Sequence, residues 1–149
     1  MYCGPGGLGL AAKQSIITSD GIEFAFTHSW ATDYHKDSCL TYKHNVLGDD
    51  SSGQIVCADI SAFDTDFLPP VDGFMYGFPW NDFSNVGESK GLNGKFGPLY
   101  SYGINYINKS NPLFILAENV SGISNSDSGS AFRKILAELS CAGNYGYNL

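Results

Sequence analysis

The chain has 149 residues, enough for one hydrophobic core, so two independent domains are not expected. Eight Lys and Arg against fifteen Asp and Glu leave a formal charge of −7, which disfavours tight, autonomous binding of nucleic acid by phosphate neutralisation. With 43% hydrophobic and 14% aromatic residues, the composition is that of a folding chain rather than a disordered one.

Eighteen Gly and nine Tyr imply many tight turns, so loops are expected to carry much of the chemistry. The opening Met1-Tyr2-Cys3-Gly4 lacks the basic patch and apolar run of a secretory signal. No apolar run is long enough to cross a bilayer, and a cytoplasmic location is expected. Cys3, Cys39, Cys57 and Cys141 are widely spaced, with no C-x-x-C pair, and read as free thiols. The sequons at Asn108-Lys109-Ser110 and Asn119-Val120-Ser121 are not used by an intracellular protein.

In chain order, residues 8–18 place Leu8, Ala11, Ala12 and Ile16 at helical intervals, and Ser19-Asp20-Gly21 then signals a turn. Residues 22–31 carry Phe24, Phe26 and Trp30 on a period of two, which predicts a strand. A short helix follows over 37–46. The apolar runs at 55–58 and 71–76 read as buried strands emptying into loops at Asp59 and at Gly77-Phe78-Pro79. Between 79 and 97 the composition turns to Gly, Asn, Asp, Ser and Lys, a loop longer than connectivity needs. A helix is expected over 99–107 and a compact buried strand over 112–118. A last amphipathic helix over 130–139 carries Ala131, Phe132, Ile135, Leu136 and Leu139. The order turn-α-β-α-β-β-α-β-α predicts an α/β fold, a parallel-rich sheet with helices on both faces and ligands at the carboxyl ends of its strands.

Gly4-Pro5-Gly6-Gly7-Leu8-Gly9 contains G-x-G-x-x-G and opens a predicted helix, whose amides can approach a polar ligand. Asp33 follows Gly9 by roughly 24 residues at a predicted strand end, a suitable acceptor for ribose hydroxyls. The glycines alone read equally as a plain tight turn; with Asp33 they favour a nucleoside-containing ligand. Only Met1, Tyr2 and Cys3 precede Gly4, too few for the central strand of such a sheet, so that strand is expected from upstream residues or another chain. Asp59 reads either as an acceptor for an exocyclic amine or as a solvated loop acid, and Tyr34 either stacks on a base or caps the core. His28, His35 and His44 lack metal-ligand spacing and read as surface or satisfied core positions. Asp64, Asp66 and Asp72 read as a solvated loop, and no metal is expected.

Gly77-Phe78-Pro79-Trp80-Asn81-Asp82-Phe83-Ser84, then Gly87-Glu88 and Lys90-Gly91, then Ala117-Glu118-Asn119-Val120 complete a pattern. With the glycine turn they make the chain resemble the DNA (cytosine-5)-methyltransferases over essentially its whole length. The resemblance implies a Rossmann-like S-adenosylmethionine-dependent methyltransferase fold. It places the cofactor turn on Tyr2, Cys3, Gly4, Pro5, Gly6 and Gly7, the ribose acid on Asp33 and the adenine-flanking residue on Tyr34. The adenine-amine acceptor falls on Asp59 beside Ile60, with further cofactor contacts on Pro79 and Leu99. It also implies that Glu118, with Asn119 and Val120, holds the target cytosine, and that Ser84 lies in the loop that closes over DNA.

In that family a cysteine thiolate adds to C6 of a flipped cytosine so that C5 can take the methyl group, while Glu hydrogen-bonds the ring. Here the family's Pro-Cys is Pro79-Trp80, and an indole N–H is a neutral donor that cannot replace a thiolate. Residues 1–149 also lack the later Arg-containing motif, the target-recognition domain and the last cofactor-lining motif, so they are expected to be a partial catalytic domain, truncated at both ends. The first reading is a methyltransferase portion inactive by itself, with cofactor binding undecided and DNA binding weak or absent. The alternative is a non-catalytic partner or split subunit that pairs with another methyltransferase chain. An ordinary nicotinamide-dinucleotide protein would account for the glycines and Asp33 but not for Glu118-Asn119-Val120.

Overall fold

In the computed structural model, which describes residues 1–48, 55–79, 99–124 and 129–149, the chain divides into two units, Met1–Pro69 and Pro70–Leu149. The first opens on helix α1, Gly7–Gln14. It is stopped by Ser15, whose N–H donates to the Ala12 carbonyl at 3.0 Å and whose hydroxyl donates to the Ala11 carbonyl at 2.8 Å. A serine that turns back on its own helix competes with the next helical bond.

The helix expected over 8–18 is therefore shorter. Ile16–Ser19 is strand β1, paired antiparallel with β2, Ile22–Ala25. The two-residue turn is Asp20-Gly21, both with positive φ, 51° and 78°, the geometry whose twist matches a hairpin. β-branched Ile16, Ile17 and Thr18 beside an Asp-Gly pair override the helical spacing that Ile16 also satisfies. The strand expected over 22–31 divides likewise, because residues 26–30 leave the hairpin before β3, Ala31–Asp33, begins. The alternation of Phe24 and Phe26 does not mark a half-buried face, since both are more than half exposed.

β3 pairs parallel with β4, Ile55–Cys57, in the register Ala31↔Ile55 to Asp33↔Cys57. The ladder runs one residue on through Ala58 N–H to the Asp33 carbonyl, 3.0 Å. Cys57 ends β4 and is exposed, so it is a strand terminus and not, as its apolar run suggests, a strand interior. Helix α2, Lys36–Tyr42, starts under a His35 cap, whose Nδ1 accepts from the Ser38 N–H at 3.3 Å. It continues as a wider π-helical turn over Lys43–Leu47 and stops at Gly48. Cys39, Tyr42 and Val46 face inward. Ala31, Tyr42 and Val46 form the core of this unit, with Cys3, Leu10, Leu47 and Ile55 packed around them.

The second unit is built on β5, Gly73–Tyr76, and β6, Phe114–Ala117, again parallel, from Gly73↔Phe114 to Tyr76↔Ala117. A parallel pair needs a crossover, and helix α3, Tyr100–Ser110, lies on it. Period-two Phe74, Tyr76 and Phe78 put an aromatic row against α3, with ring centroids 5.2 Å apart for Phe74–Tyr76, 4.8 Å for Phe74–Tyr106 and 6.2 Å for Phe78–Tyr100. Helix α4, Ser130–Ser140, buries Ala131, Ile135 and Leu139, one residue per turn of the expected apolar face. β6 is more open than the buried strand expected there: Phe114 is 41% and Leu116 44% exposed, because among the described residues β5 is its one paired neighbour.

Asn111 ends α3 in the left-handed conformation, φ 49°, and its side-chain oxygen accepts from the Asn144 N–H at 2.6 Å. Asn111→Ala gives up both the side-chain bond and a residue that tolerates this conformation, a loss of about 2 kcal/mol in urea unfolding. Asn111→Gly keeps the conformation and should lose about half as much; equal losses would assign the whole effect to the hydrogen bond.

Candidate functional site

In the first unit, two hydrogen bonds hold the glycine turn on β3 and a third closes the turn on itself. Cys3 N–H donates to the Thr32 carbonyl at 3.0 Å, so the residues before the turn already run beside β3, and Gly6 N–H donates to the Cys3 carbonyl at 3.2 Å. Gly4 N–H donates to Asp33 Oδ2 at 2.8 Å, while Asp33 Oδ1 accepts from the His35 N–H at 2.9 Å. A carboxylate has about four lone-pair sites, so acceptor capacity remains for the hydroxyls of a ligand.

The two sides of the turn differ. A Cβ at Gly4 or Gly7 would meet nothing within 4 Å, whereas at Gly6, with φ +108°, it would lie 2.7 Å from Val46 Cγ2 and 3.0 Å from Tyr42 Cδ2. Gly9 backs on the same tyrosine. The turn thus rests on a packed floor, opens outward at the start of α1 and carries the amides and positive end of a helix dipole.

Asp59, two residues past β4, uses Oδ1 to accept from both the N–H and the hydroxyl of Ser61, at 2.9 and 2.7 Å, which caps a short 3₁₀ turn over Ile60–Ala62. Ile60 is buried, and Tyr34 is 68% exposed with its ring edge-on to His35. In the second unit, Glu118 follows β6 directly. Its N–H donates to the Tyr76 carbonyl at 3.0 Å, and its side chain is exposed. Asn119 joins the two strand exits by donating from Nδ2 to the Phe78 carbonyl at 3.0 Å, while its Oδ1 accepts from the Val120 N–H at 2.9 Å. Behind it lies a cavity of about 170 Å³ lined by Phe78, Ala117, Asn119, Ile123 and one face of α4. Pro79 is half-buried and Leu99 precedes α3.

The family of C-5 cytosine-specific DNA methylases matches residues 1–149. This chain belongs to that family. Its fold is accordingly the Rossmann-like one of S-adenosylmethionine-dependent methyltransferases, of which β3–β4 and β5–β6 are parallel pairs. Among curated relatives, the Type II methyltransferase M.BbvI of Brevibacillus brevis is 43% identical over all of this chain and 41% of its own length. M.NgoFVII of Neisseria gonorrhoeae is 30% identical over 97% of this chain and 36% of its own, and M.Bsp6I of a Bacillus species 28% identical over 96% and 42%. The chain thus spans about two fifths of the length of these relatives.

Of the methylase positions expected from sequence, the structure brings the glycine turn and Asp33 into direct contact, sets Tyr34, Asp59 and Ile60 at the exits of β3 and β4, and sets Glu118 and Asn119 at the exit of β6. Trp80 and Ser84 lie outside the described residues. Sequence reasoning missed Tyr42 and Val46, the floor beneath the turn, for which the one available signal is the spacing of Cys39, Tyr42 and Val46 along α2 and its extension. His28, expected as a surface or satisfied core position, is half-buried with its Nε2 2.9 Å from the Tyr42 hydroxyl. Among the described residues no group of three or more His, Cys, Asp or Glu is arranged to hold a metal ion, and no described helix is long and apolar enough to cross a membrane.

All four cysteines are free, but they are not equivalent. Burial pushes the Cys3 and Cys39 thiols up to about 12; Cys39 also donates to the Asp33 carbonyl at 3.4 Å. A thiol held well above its ordinary pKa offers little thiolate at pH 8. An aromatic disulfide reagent at pH 8 should therefore modify exposed Cys57 and Cys141 first, with Cys3 and Cys39 reacting only on unfolding, as mass spectrometry of the labelled peptides would record. Early labelling of Cys3 would contradict its packing under the turn.

Proposed function

We propose that this chain is the cofactor-binding and catalytic portion of a DNA cytosine-C5 methyltransferase, with residues 1–149 forming part of its catalytic domain. The observation that carries the reading is the Gly4 N–H bond to Asp33, which joins a helix-opening glycine turn to a strand-end carboxylate. The residues fit an adenosyl ligand: the turn is open beside Gly4 and Gly7, and a carboxylate with acceptor capacity to spare stands at the strand exit beside it.

In this reading Tyr2, Cys3, Gly4, Pro5, Gly6 and Gly7 approach the polar tail of S-adenosylmethionine, Asp33 accepts from its ribose hydroxyls and Tyr34 flanks the adenine. Asp59 accepts from the adenine amine beside Ile60, and Pro79 and Leu99 add contacts. The cofactor supplies an electrophilic methyl group. Glu118 hydrogen-bonds N3 and the amine of the target cytosine, and the Asn119 bridge to Phe78 holds the backbone that carries it.

The nucleophile position is Trp80, whose indole cannot add to C6. The isolated chain is therefore inactive. Calorimetric titration of the folded chain with S-adenosylmethionine should show saturable binding lost in Asp33→Ala, while no DNA is methylated by the wild-type chain or by Trp80→Cys alone. Turnover by the wild-type chain would remove the inactivity; a folded chain without binding would remove the cofactor reading.

The open face of β6 favours a second reading, a non-catalytic partner or split subunit whose apolar strand another methyltransferase chain covers. Leu113 is 81% exposed ahead of half-exposed Phe114 and Leu116, which is unusual for an apolar run of this kind. Co-expression with a complementary methyltransferase chain should then give one complex on size-exclusion chromatography, and elution of two separate species would discard the subunit role.

A further inference from the structure

Beneath the glycine turn lies a side chain that none of the proposed contacts uses. Tyr42 is 4% exposed, and its ring underlies two turns of backbone at once. A Cβ on Gly6 would stand 3.0 Å from Cδ2 and 3.5 Å from Cε2. A Cβ on Gly9 would stand 2.9 Å from Cζ and 3.1 Å from Cε2, and closer still to the hydroxyl oxygen. One edge of the ring thus supports the turn and its hydroxyl end supports the first turn of α1. The hydroxyl is held in turn by His28 Nε2 at 2.9 Å, with ring centroids 5.6 Å apart and tilted by 57°.

We propose that Tyr42, locked by His28, is the positioning residue of the cofactor turn: it sets the height at which the turn over residues 4–7 and the start of α1 meet the ligand. The proposal rests on the reading that this turn binds S-adenosylmethionine. Besides the Cys3–Thr32 backbone bond, the turn is held by Asp33 at Gly4 and by Tyr42 at Gly6 and Gly9, with Val46 beside it at Gly6. Asp33 fixes where the turn starts. Tyr42, alone at Gly9 and beside Val46 at Gly6, fixes how far it sinks toward the core, because glycine alone allows the approach and these side chains stop it. His28 lies on the segment just before β3, so both anchors are tied to the same strand. Burial raises the ionisation of the Tyr42 hydroxyl above the usual phenol range, so it stays a neutral hydrogen-bonding group.

A residue that only fills the core would change stability and leave the affinity of the folded chain alone. Calorimetry with S-adenosylmethionine on the 149-residue chain, with circular dichroism to confirm folding, separates the two. Tyr42→Phe and His28→Leu each remove the lock and should weaken binding about tenfold, with the double variant no weaker than the weaker of the two, since the Tyr42–His28 bond is lost in all three. Gly9→Ala pushes a methyl group against Tyr42 and should weaken binding by about a hundredfold. Adding Tyr42→Leu to Gly9→Ala removes the collision and should recover part of that loss. Wild-type affinity in folded Tyr42→Phe and His28→Leu, or additive losses in the Gly9→Ala/Tyr42→Leu pair, would overturn the positioning role and leave the cofactor reading standing. A folded wild-type chain that does not bind overturns both. If Tyr42→Leu does not fold, the two lock variants and their double decide the matter.

Discussion

The bond from the Gly4 amide to the Asp33 carboxylate is the constraint on which the first unit depends. It is a half-buried, charge-assisted contact between residues 29 apart in sequence, of a kind that contributes about 1.5–3 kcal/mol. It also fixes geometry. With Cys3 tied to Thr32, it holds the start of the turn against the end of β3, so α1 begins over a strand exit. Asp33 Oδ1, bonded to the His35 amide, fixes the entry into α2 as well. One carboxylate thereby orients two helix starts, and α2 returns Tyr42 and Val46 beneath the glycines whose placement Asp33 began.

The second unit solves a similar problem with packing. Phe74, Tyr76 and Phe78 stack in a row against Tyr100 and Tyr106, and each such buried ring contributes about 2–3 kcal/mol from area alone. The row fixes β5 against α3, and the register Tyr76↔Ala117 then delivers Glu118. The side-chain amide of Asn119 bridges to the Phe78 carbonyl. In both units a parallel pair carries its acid at its exit: Asp33 is the last paired residue of β3, and Glu118 comes directly after the last paired residue of β6.

Much of this was legible in the residues. The period-two aromatics, the apolar stripe of α4 and the acids closing the apolar runs all carry one-dimensional signals, and Glu118-Asn119-Val120 with the glycine turn sufficed for the family resemblance. Ile16 fitted both a helical stripe and a β-branched run, and only the Asp20-Gly21 turn geometry decided between them. β6 looked buried because its residues are apolar, yet burial is set by what lies alongside a strand, which its own sequence does not contain. Tyr42 escaped notice because its partner is a missing side chain: a contact made by the absence of Cβ at Gly6 and Gly9 leaves no mark on the tyrosine.

The β1–β2 hairpin has a different bearing on the molecule. All eight of its strand residues are exposed, and Asp33 reaches Gly4 through β3 without passing through it. Loop closure depends only weakly on length, and an isolated two-stranded hairpin is marginal in water. The hairpin itself, residues 16–25, is therefore a place where the chain can be lengthened or shortened with little effect on the turn, whereas His28 beyond it is held against Tyr42. The hairpin is a spacer whose length can change while the contact between the glycine turn and the acid stays closed in space rather than in sequence.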